Sequence, residues 1–304
     1  MKKLLLLITS LIFCLNVFGC KDTTNTKNLD RKFVLVSFTI LEDILNNIVG
    51  EELIVESITR PGIEVHGYKT NPSDMIRGSK ADLFIKNGFG YELWADKFVS
   101  NLKVKTITIA DNLDPIFISE DSYKGKPNPH AWISPKRGII YVDVILASLI
   151  DLQPNSQETF EINAKAYKEK LFSIDKDFSL FLNTLDNSKR YLVSCEGAFS
   201  YLTEDYGLKE AYLWPINAES QITPKRMARV INLVKEKNIP SVFCESTVSS
   251  ESQKLVSKES GAKFGGIFYV DSLSNKEGPA GTYLDLLNHN LNLIKKGFNP
   301  ITKN

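Results

Sequence analysis

Short apolar runs and stretches of helical periodicity alternate along the first half of the chain. The apolar run at residues 33–38 predicts a strand, and apolar positions at helical spacing over residues 39–49 predict a helix that stops at a glycine. Thr39 and Glu42 have the spacing of a capping box, in which a hydroxyl and a carboxylate accept protons from backbone amides at the helix start. Further strands are predicted at residues 53–58 and 82–85. This alternation indicates a parallel sheet with helices on both faces.

The second half of the chain has the same architecture. Its strands are predicted at residues 191–194, 211–213, 241–244 and 264–270, with helices at 197–206, from 223, at 249–260 and at 281–296. Between the halves, residues 155–185 are mostly polar and contain neither glycine nor proline, which predicts one long helix that bridges two lobes. The expected fold class is α/β, with two lobes that each hold a parallel sheet flanked by helices, joined by that helix. The expected boundaries are 32–154 for the N-terminal lobe, 155–187 for the linking helix and 188–304 for the C-terminal lobe.

The N-terminus predicts an export signal. Two lysines precede an apolar run at residues 4–18, which is too short to span a bilayer but suits the core of a signal peptide. Gly19 directly precedes Cys20, and a polar run follows. This pattern is typical of a lipoprotein, with a signal peptide over residues 1–19, lipid on Cys20 and a tether over residues 20–31; an ordinary signal peptide is the alternative. We therefore expect a periplasmic or otherwise extracytoplasmic protein that a lipid anchor holds at a membrane.

Charge and cysteine content narrow the function classes. The chain has 37 basic and 36 acidic residues, and this balance argues against a nucleic-acid partner, which would favour a basic excess. Of the four cysteines, Cys14 lies in the signal peptide and Cys20 carries the predicted lipid. Cys195 and Cys244 remain for the folded part, where they either form a disulfide or stay as two buried free thiols.

Three histidines and two acids are the candidates for chemistry. His66 follows the second predicted strand. His130 comes after Pro127 and Pro129 and before the helix that begins at residue 135. Glu196 and Asp271 each follow a predicted strand of the second half. Taken singly, a loop histidine is more often solvated than a ligand, and an acid at a strand–helix junction is commonly a helix cap. His289 falls in the last helix, where we expect it to be structural or exposed.

The positions of these residues favour a metal site when they are considered together. Ligands of open parallel sheets bind beyond the carboxyl ends of the strands, so two imidazoles from one lobe and two carboxylates from the other would meet in the cleft. A mixed imidazole and carboxylate set without thiolate suits Mn²⁺, Fe²⁺ or Zn²⁺, and the two acids would neutralise a divalent ion. The absence of a histidine-rich stretch argues against zinc. Glu245, which also lies near a strand end, is expected to support a neighbour or to cap a helix.

The same residues stand in an ordered string of motifs. These are PGIEVHGY at 61–68, NPHAW at 128–132, EGAF at 196–199, WPIN at 214–217, ESTV at 245–248 and YVDS at 269–272. Over essentially the whole mature chain, the string resembles the cluster A-I metal-binding lipoproteins, the solute-binding components of ABC importers for manganese, iron and zinc. The resemblance implies two α/β lobes, one rigid linking helix, and a buried metal with His66, His130, Glu196 and Asp271 as its ligands.

Within that family the chain looks most similar to the periplasmic manganese and iron branch. Zinc-type members usually have a histidine where this chain has Glu196, and often a histidine-rich acidic loop, and neither feature is present. Two positions depart from the family pattern: Gly67 stands where an acid is usual, and Lys69 where Glu or Gln is common. Both would alter the surroundings that orient His66.

The expected function is high-affinity capture of Mn²⁺ or Fe²⁺ outside the cytoplasm and delivery to the permease and ATPase of an ABC importer. An enzyme is not expected, because four protein ligands leave no obvious open position on the metal for water or substrate. The alternatives are a zinc receptor of the same importer class, a surface adhesin and, less in keeping with the ligands, a metal-dependent hydrolase. We expect a monomer.

Overall fold

The computed structural model describes residues 31–186, 190–217 and 222–298. The predicted signal peptide, the lipidation site Cys20 and the tether up to residue 30 lie outside the described residues. The described residues from Lys32 onward belong to one compact unit. Within the described part, no helix has both the length and the apolar character needed to cross a bilayer.

The described residues form eight strands and nine α-helices. The strands are β1 (Phe33–Val36), β2 (Ile54–Ser57), β3 (Leu83–Lys86), β4 (Lys105–Thr108), β5 (Tyr191–Glu196), β6 (Lys209–Trp214), β7 (Ser241–Glu245) and β8 (Lys263–Phe268). The helices are α1 (Thr39–Val49), α2 (Pro72–Gly78), α3 (Leu93–Ser100), α4 (Pro135–Leu152), α5 (Gln157–Leu182), α6 (Ser200–Tyr206), α7 (Pro224–Glu236), α8 (Glu251–Ser260) and α9 (Tyr283–Phe298). The α/β class predicted from the sequence is confirmed.

The first lobe contains a four-stranded parallel sheet with the order β2-β1-β3-β4. Val34 of β1 pairs with Val55 on one side and with Leu83 on the other, so β1 lies in the interior of the sheet. Helix α1 has seven buried residues at helical spacing, and the six apolar ones pack in the same core as β1 and β3. Because all four strands are parallel, the loops that follow them leave the sheet along one edge.

The second lobe contains two parallel strand pairs, β5-β6 and β7-β8. A disulfide joins Cys195 of β5 to Cys244 of β7, with the two Cα atoms 4.8 Å apart. The sequence left open whether these cysteines form a disulfide or remain free thiols, and the structure has the disulfide. Gln253 of α8 donates a hydrogen bond from Nε2 to Val193 O in β5 (3.2 Å). Strands β5 and β7 are thus held side by side just before the acids Glu196 and Glu245.

The long helix α5 contributes one apolar face to the main core of the molecule. Its buried residues, at positions compatible with one face, are Phe160, Ala164, Tyr167, Leu171, Phe178 and Leu182. Asn163 Nδ2 donates to Ile48 O of the first lobe (3.0 Å), and Asp175 Oδ1 accepts from Tyr206 Oη of the second (2.7 Å). The predicted bridging helix is therefore present and contacts both lobes.

Direct hydrogen bonds join the two lobes. Gly62 N donates to Ser272 Oγ (2.7 Å), and Trp132 Nε1 donates to Val270 O (3.0 Å). The Thr39 hydroxyl accepts a proton from Leu273 N (3.0 Å). The expected capping box is wrong, because Thr39 is the first residue of α1 and the cap position, Phe38, offers no side-chain hydrogen bond. The hydroxyl serves the interface between the lobes instead.

Candidate metal site

Two histidines of the first lobe face each other, with 3.2 Å between their Nε2 atoms. His66 lies in the loop after β2, where Glu64 accepts protons from His66 N (2.7 Å) and Gly67 N (2.8 Å). The His130 ring is fully buried, and its Nδ1 lies 2.9 Å from Asn128 Oδ1. The His66 side chain is only 3% exposed. Both Nε2 atoms are therefore directed into the same enclosed space. The contacts of Glu64 and Asn128 hold the two loops that carry the histidines.

Two acids of the second lobe reach the same place. Glu196 is the last residue of β5, and Asp271 lies three residues beyond the end of β8. Asn217 holds both of them, because its backbone N donates to Glu196 Oε1 (2.7 Å) and its Nδ2 donates to Asp271 Oδ2 (2.9 Å). Thr247 Oγ1 donates to the same Asp271 oxygen (3.0 Å). Both carboxylates are completely buried and fixed in orientation.

The four predicted residues come together as one cluster. One ligand atom from each of the four lies within 4.8 Å of all the others. Glu196 Oε1 is 3.6 Å from Nε2 of both histidines. Asp271 Oδ1 is 4.0 Å from His66 Nε2 and 3.5 Å from His130 Nε2. The structure thus brings all four sequence candidates into one cleft between the lobes.

These distances fit a single metal ion. Bonds of about 2.0–2.2 Å to nitrogen and oxygen allow two ligands of one ion to be at most about 4.4 Å apart, and the five separations given above are all shorter. Glu196 Oε2 and Asp271 Oδ1 are buried oxygen atoms without a hydrogen-bond donor among the described residues. A buried acceptor without a partner is costly, and a cation between the four residues would satisfy both oxygens.

The electrostatics of the cluster also favour a cation. Burial, together with the charge of Asp271, raises the pKa of Glu196 well above 4.5. Burial opposes ionisation of Asp271 too, but the Thr247 hydroxyl donates a hydrogen bond to its carboxylate, and the pKa of Asp271 is lowered below 3.8. Burial lowers the pKa of His66 to about 3, so its imidazole is neutral and can donate a lone pair. A divalent ion would stabilise the ionised form of both acids and would lower the raised pKa of Glu196.

Aromatic rings enclose the two imidazoles. The Tyr91 ring centroid lies 4.7 Å from that of His66, and the Trp132 centroid lies 5.3 Å from that of His130. Tyr91 and Trp132 are fully buried and contact each other at 4.7 Å. This wall keeps water away from the imidazoles and restricts their rotation, so the cluster is preorganised.

Several residues that support the site were not identified from the sequence as site residues. Asn217 and Thr247 donate hydrogen bonds to the acids. Both residues stand in the motifs given above, and their amide and hydroxyl groups were the feature by which the sequence could have indicated this role. Glu245 Oε2 accepts a proton from Glu196 N (3.1 Å), which agrees with its expected supporting role. His289 lies outside the cluster, with Nε2 2.9 Å from Ile267 O, and is structural as expected.

Comparison with known proteins identifies the family. A family model described as zinc-uptake complex component A, periplasmic, matches residues 34–297. The iron-binding protein YfeA of Yersinia pestis is 45% identical over 276 residues, which cover 90% of this chain and 89% of that protein. The manganese-binding lipoprotein MntA of Halalkalibacterium halodurans is 32% identical over 300 residues, which cover 98% of this chain and 99% of that protein.

A solved structure extends this similarity to three dimensions. The Mn-bound periplasmic metal binding protein from Candidatus Liberibacter asiaticus matches with a TM-score of 0.83 and 39% identity, over 88% of this chain and 100% of that chain. The resemblance seen in the sequence motifs is therefore confirmed. The chain belongs to the zinc-uptake complex component A family, whose members are solute-binding receptors of metal ABC importers.

Proposed function

We propose that this protein captures Mn²⁺ or Fe²⁺ outside the cytoplasm and delivers it to the permease and ATPase of an ABC importer. His66, His130, Glu196 and Asp271 are the proposed ligands. The observation that carries the proposal is the convergence of two imidazole nitrogens and two carboxylates, within 4.8 Å of one another, in a buried cleft. The metal is the cargo of this receptor, and no catalytic role is proposed for it.

The choice of metal rests on the ligand set and on the relatives. Two carboxylates beside two imidazoles provide more oxygen ligands than a histidine-rich site, and oxygen ligands suit manganese and ferrous iron. Relatives named for iron and manganese binding agree with this choice. Zinc is the second candidate, because the matching family model carries zinc in its description and because intrinsic affinity favours zinc over manganese.

Three further features belong to the proposal. Lipid on Cys20 would anchor the mature chain, and the residues up to 31 would act as its tether. The protein would work as a monomer, with the lobe boundaries expected from the sequence at 32–154 and 188–304. Metal that bridges the lobes would stabilise one closed arrangement for recognition by the permease.

The test starts from soluble mature protein that a chelator has stripped of metal. The protein is reloaded and its metal content measured, and a calorimeter then follows anaerobic competition between Mn²⁺, Fe²⁺ and Zn²⁺. We expect one equivalent of metal per chain. His66→Ala and Glu196→Ala should abolish binding, whereas His289→Ala is a matched control that removes an imidazole outside the site. Full binding by His66→Ala would refute the ligand set, and preferential binding of zinc at equal free concentrations would establish the second candidate.

The delivery step needs a separate test in cells. A strain that lacks its own receptor but keeps the permease and ATPase should take up radioactive manganese when the wild-type chain is supplied. His289→Ala should restore uptake, and His66→Ala should not. Metal binding without restored uptake by any form would contradict the importer role while leaving the binding site intact.

A further inference from the structure

Asn128 fixes the tautomer of His130. Its Oδ1 accepts a proton from His130 N (3.1 Å) and lies 2.9 Å from His130 Nδ1. Its Nδ2 donates to Gly197 O (2.6 Å) and lies 3.1 Å from Ser200 Oγ. Because a backbone carbonyl can only accept, the amide nitrogen must face Gly197 and the amide oxygen must face the ring. His130 Nδ1 therefore carries the proton, and the Nε2 lone pair remains free for a metal.

The chain of hydrogen bonds continues to a carboxylate. Ser200 Oγ accepts from Asn128 Nδ2, so its own proton is available to Glu210 Oε2, at 2.7 Å. Glu210 Oε1 accepts from Phe199 N (2.9 Å). Every donor along the path from the imidazole to Glu210 points in the same direction. A hydrogen-bond chain with a common direction is polarised, and each bond strengthens the next.

We propose that Asn128, Ser200 and Glu210 form a polarised hydrogen-bond chain that positions His130 and increases its strength as a metal ligand. The inference rests on the proposed metal-binding function. A carboxylate that accepts a proton from the second nitrogen of a ligating histidine raises the basicity of the ring. Here the carboxylate acts through a serine and an asparagine instead of touching the ring.

The chain crosses the interface between the lobes. Asn128 precedes α4 in the first lobe, whereas Ser200 begins α6 and Glu210 lies in β6 of the second lobe. Separation of the lobes would remove both acceptors of the Asn128 amide group at once, and His130 would lose its orientation and its support. Lobe opening would thus weaken the metal site through one of its own ligands, which links opening to release of the cargo.

The surroundings of Glu210 are compatible with this role. Burial raises its pKa to about 7, while the hydrogen bonds from Ser200 and Phe199 favour the ionised form. Glu120, Tyr212 and Arg229 line the cavity beside it. Arg229 pairs with Glu120 at 2.6 Å, so a second carboxylate lies in this cavity without contributing to the chain. Replacement of Glu120 therefore is a matched control for replacement of Glu210, because it removes a carboxylate from the same cavity but not from the hydrogen-bond chain.

The alternative is that Ser200 and Glu210 only stabilise the start of α6. Nuclear magnetic resonance of metal-free protein labelled with ¹⁵N-histidine separates the two roles, because the chain has only three imidazoles. His66→Ala and His289→Ala assign the signals by omission. We expect a protonated Nδ1 on His130, with a downfield proton that exchanges slowly with water. A helix-capping role would leave this proton unchanged in any folded variant.

Three variants test the chain. Glu210→Gln and Ser200→Ala should move the His130 Nδ1 proton upfield and weaken Mn²⁺ binding about fivefold, the effect of one typical hydrogen bond. Ser200→Thr retains the hydroxyl and should restore both the signal and the affinity. Glu120→Gln should change neither. Circular dichroism establishes that each variant is folded before its signal is interpreted.

The outcomes distinguish this inference from the function on which it rests. An unchanged His130 signal in folded Glu210→Gln and Ser200→Ala, in a protein that binds Mn²⁺, would overturn the hydrogen-bond chain alone. Failure of the wild-type protein to bind any of the three metals would overturn the proposed function. An upfield shift of the His130 Nδ1 proton in Glu120→Gln as well would show that the loss of any nearby charge, and not of the hydrogen-bond chain, alters the ring, and would also overturn the inference.

Discussion

Removal of the Asn217 side chain should weaken metal binding without removing a metal ligand. The Asn217→Ala variant loses the hydrogen bond from Nδ2 to Asp271 Oδ2 (2.9 Å) but keeps the backbone bond to Glu196 Oε1 (2.7 Å). Asp271 Oδ2 retains one donor, the Thr247 hydroxyl at 3.0 Å. The carboxylate should therefore remain in the cleft but rotate more freely.

The size of the effect follows from the type of bond. A hydrogen bond to a charged group contributes about 1.5–3 kcal/mol, and the loss of a residue that supports a metal ligand lowers affinity about 10–100-fold, which is about 1.4–2.8 kcal/mol. The two ranges agree. The variant also leaves Trp214 Nε1 without its acceptor, Asn217 Oδ1 (2.8 Å), so the free energy of unfolding should fall by about 1–3 kcal/mol as well.

Calorimetric titration of chelated protein with Mn²⁺ measures the affinity, and urea unfolding measures the stability. Asn163→Ala is the matched control, because Asn163 donates one hydrogen bond to Ile48 O (3.0 Å) and contacts none of the four candidate ligands through it. It should lower stability but leave affinity unchanged. Thr247→Val removes the other donor and should also weaken binding. Unchanged Mn²⁺ affinity in Asn217→Ala would refute the view that these donors orient Asp271.

Three further predictions concern the whole protein. Mn²⁺ at 100 times its dissociation constant should raise the free energy of unfolding by about 2.7 kcal/mol, and the absence of a shift in a calorimetric scan would contradict a folded-state site. Burial raises the pKa of Glu196 and Glu245 above 4.5, so the folded metal-free protein holds protons that the unfolded chain has lost. This contribution to stability should therefore be lost as pH rises from about 4.5 through the raised pKa of the two carboxyls, by up to about 1.4 kcal/mol per unit and carboxyl, while His66 acts in the opposite direction below about pH 6.5; urea midpoints that rise with pH above about 6.5 would contradict this. Replacement of Cys195 and Cys244 by serine opens a loop with a sequence separation of 49 and should cost about 4 kcal/mol of stability. Mn²⁺ affinity should fall as well, because each cysteine directly precedes a buried acid, and an unchanged affinity would contradict this coupling.

Strong periodic patterns allowed much of the fold to be predicted. Strand β1 is fully apolar, five of the six residues of β5 are buried, and α1 has seven buried positions at helical spacing, so burial gives these elements a clear signal. Strand β4, with the sequence KTIT, was missed because it lies at the edge of its sheet and none of its residues is fully buried. An edge strand is stabilised by backbone pairing with one neighbour, which leaves little trace in hydropathy.

The candidate ligands could be found because strand ends constrain where they lie. His66, Glu196 and Asp271 each follow a predicted strand, and parallel strands direct such residues to one edge. The hydrogen bonds among supporting groups had no comparable signal. The Thr39 hydroxyl contacts Leu273 N, a partner 234 residues away, and local spacing could not distinguish this contact from a capping box. The disulfide was undecided for the same reason, since the pairing of β5 with β7 is a tertiary property.

The aromatic wall around the histidines has an optical consequence. The chain has only three tryptophans, and the buried Trp132 ring lies 5.3 Å from the His130 ring. An ion with unpaired electrons bound by His130 should quench the emission of Trp132, whereas the closed-shell ion Zn²⁺ should have a weaker effect. The unlabelled protein should therefore act as its own fluorescent sensor, which reports both the loading of its cargo and the electronic class of the ion it carries.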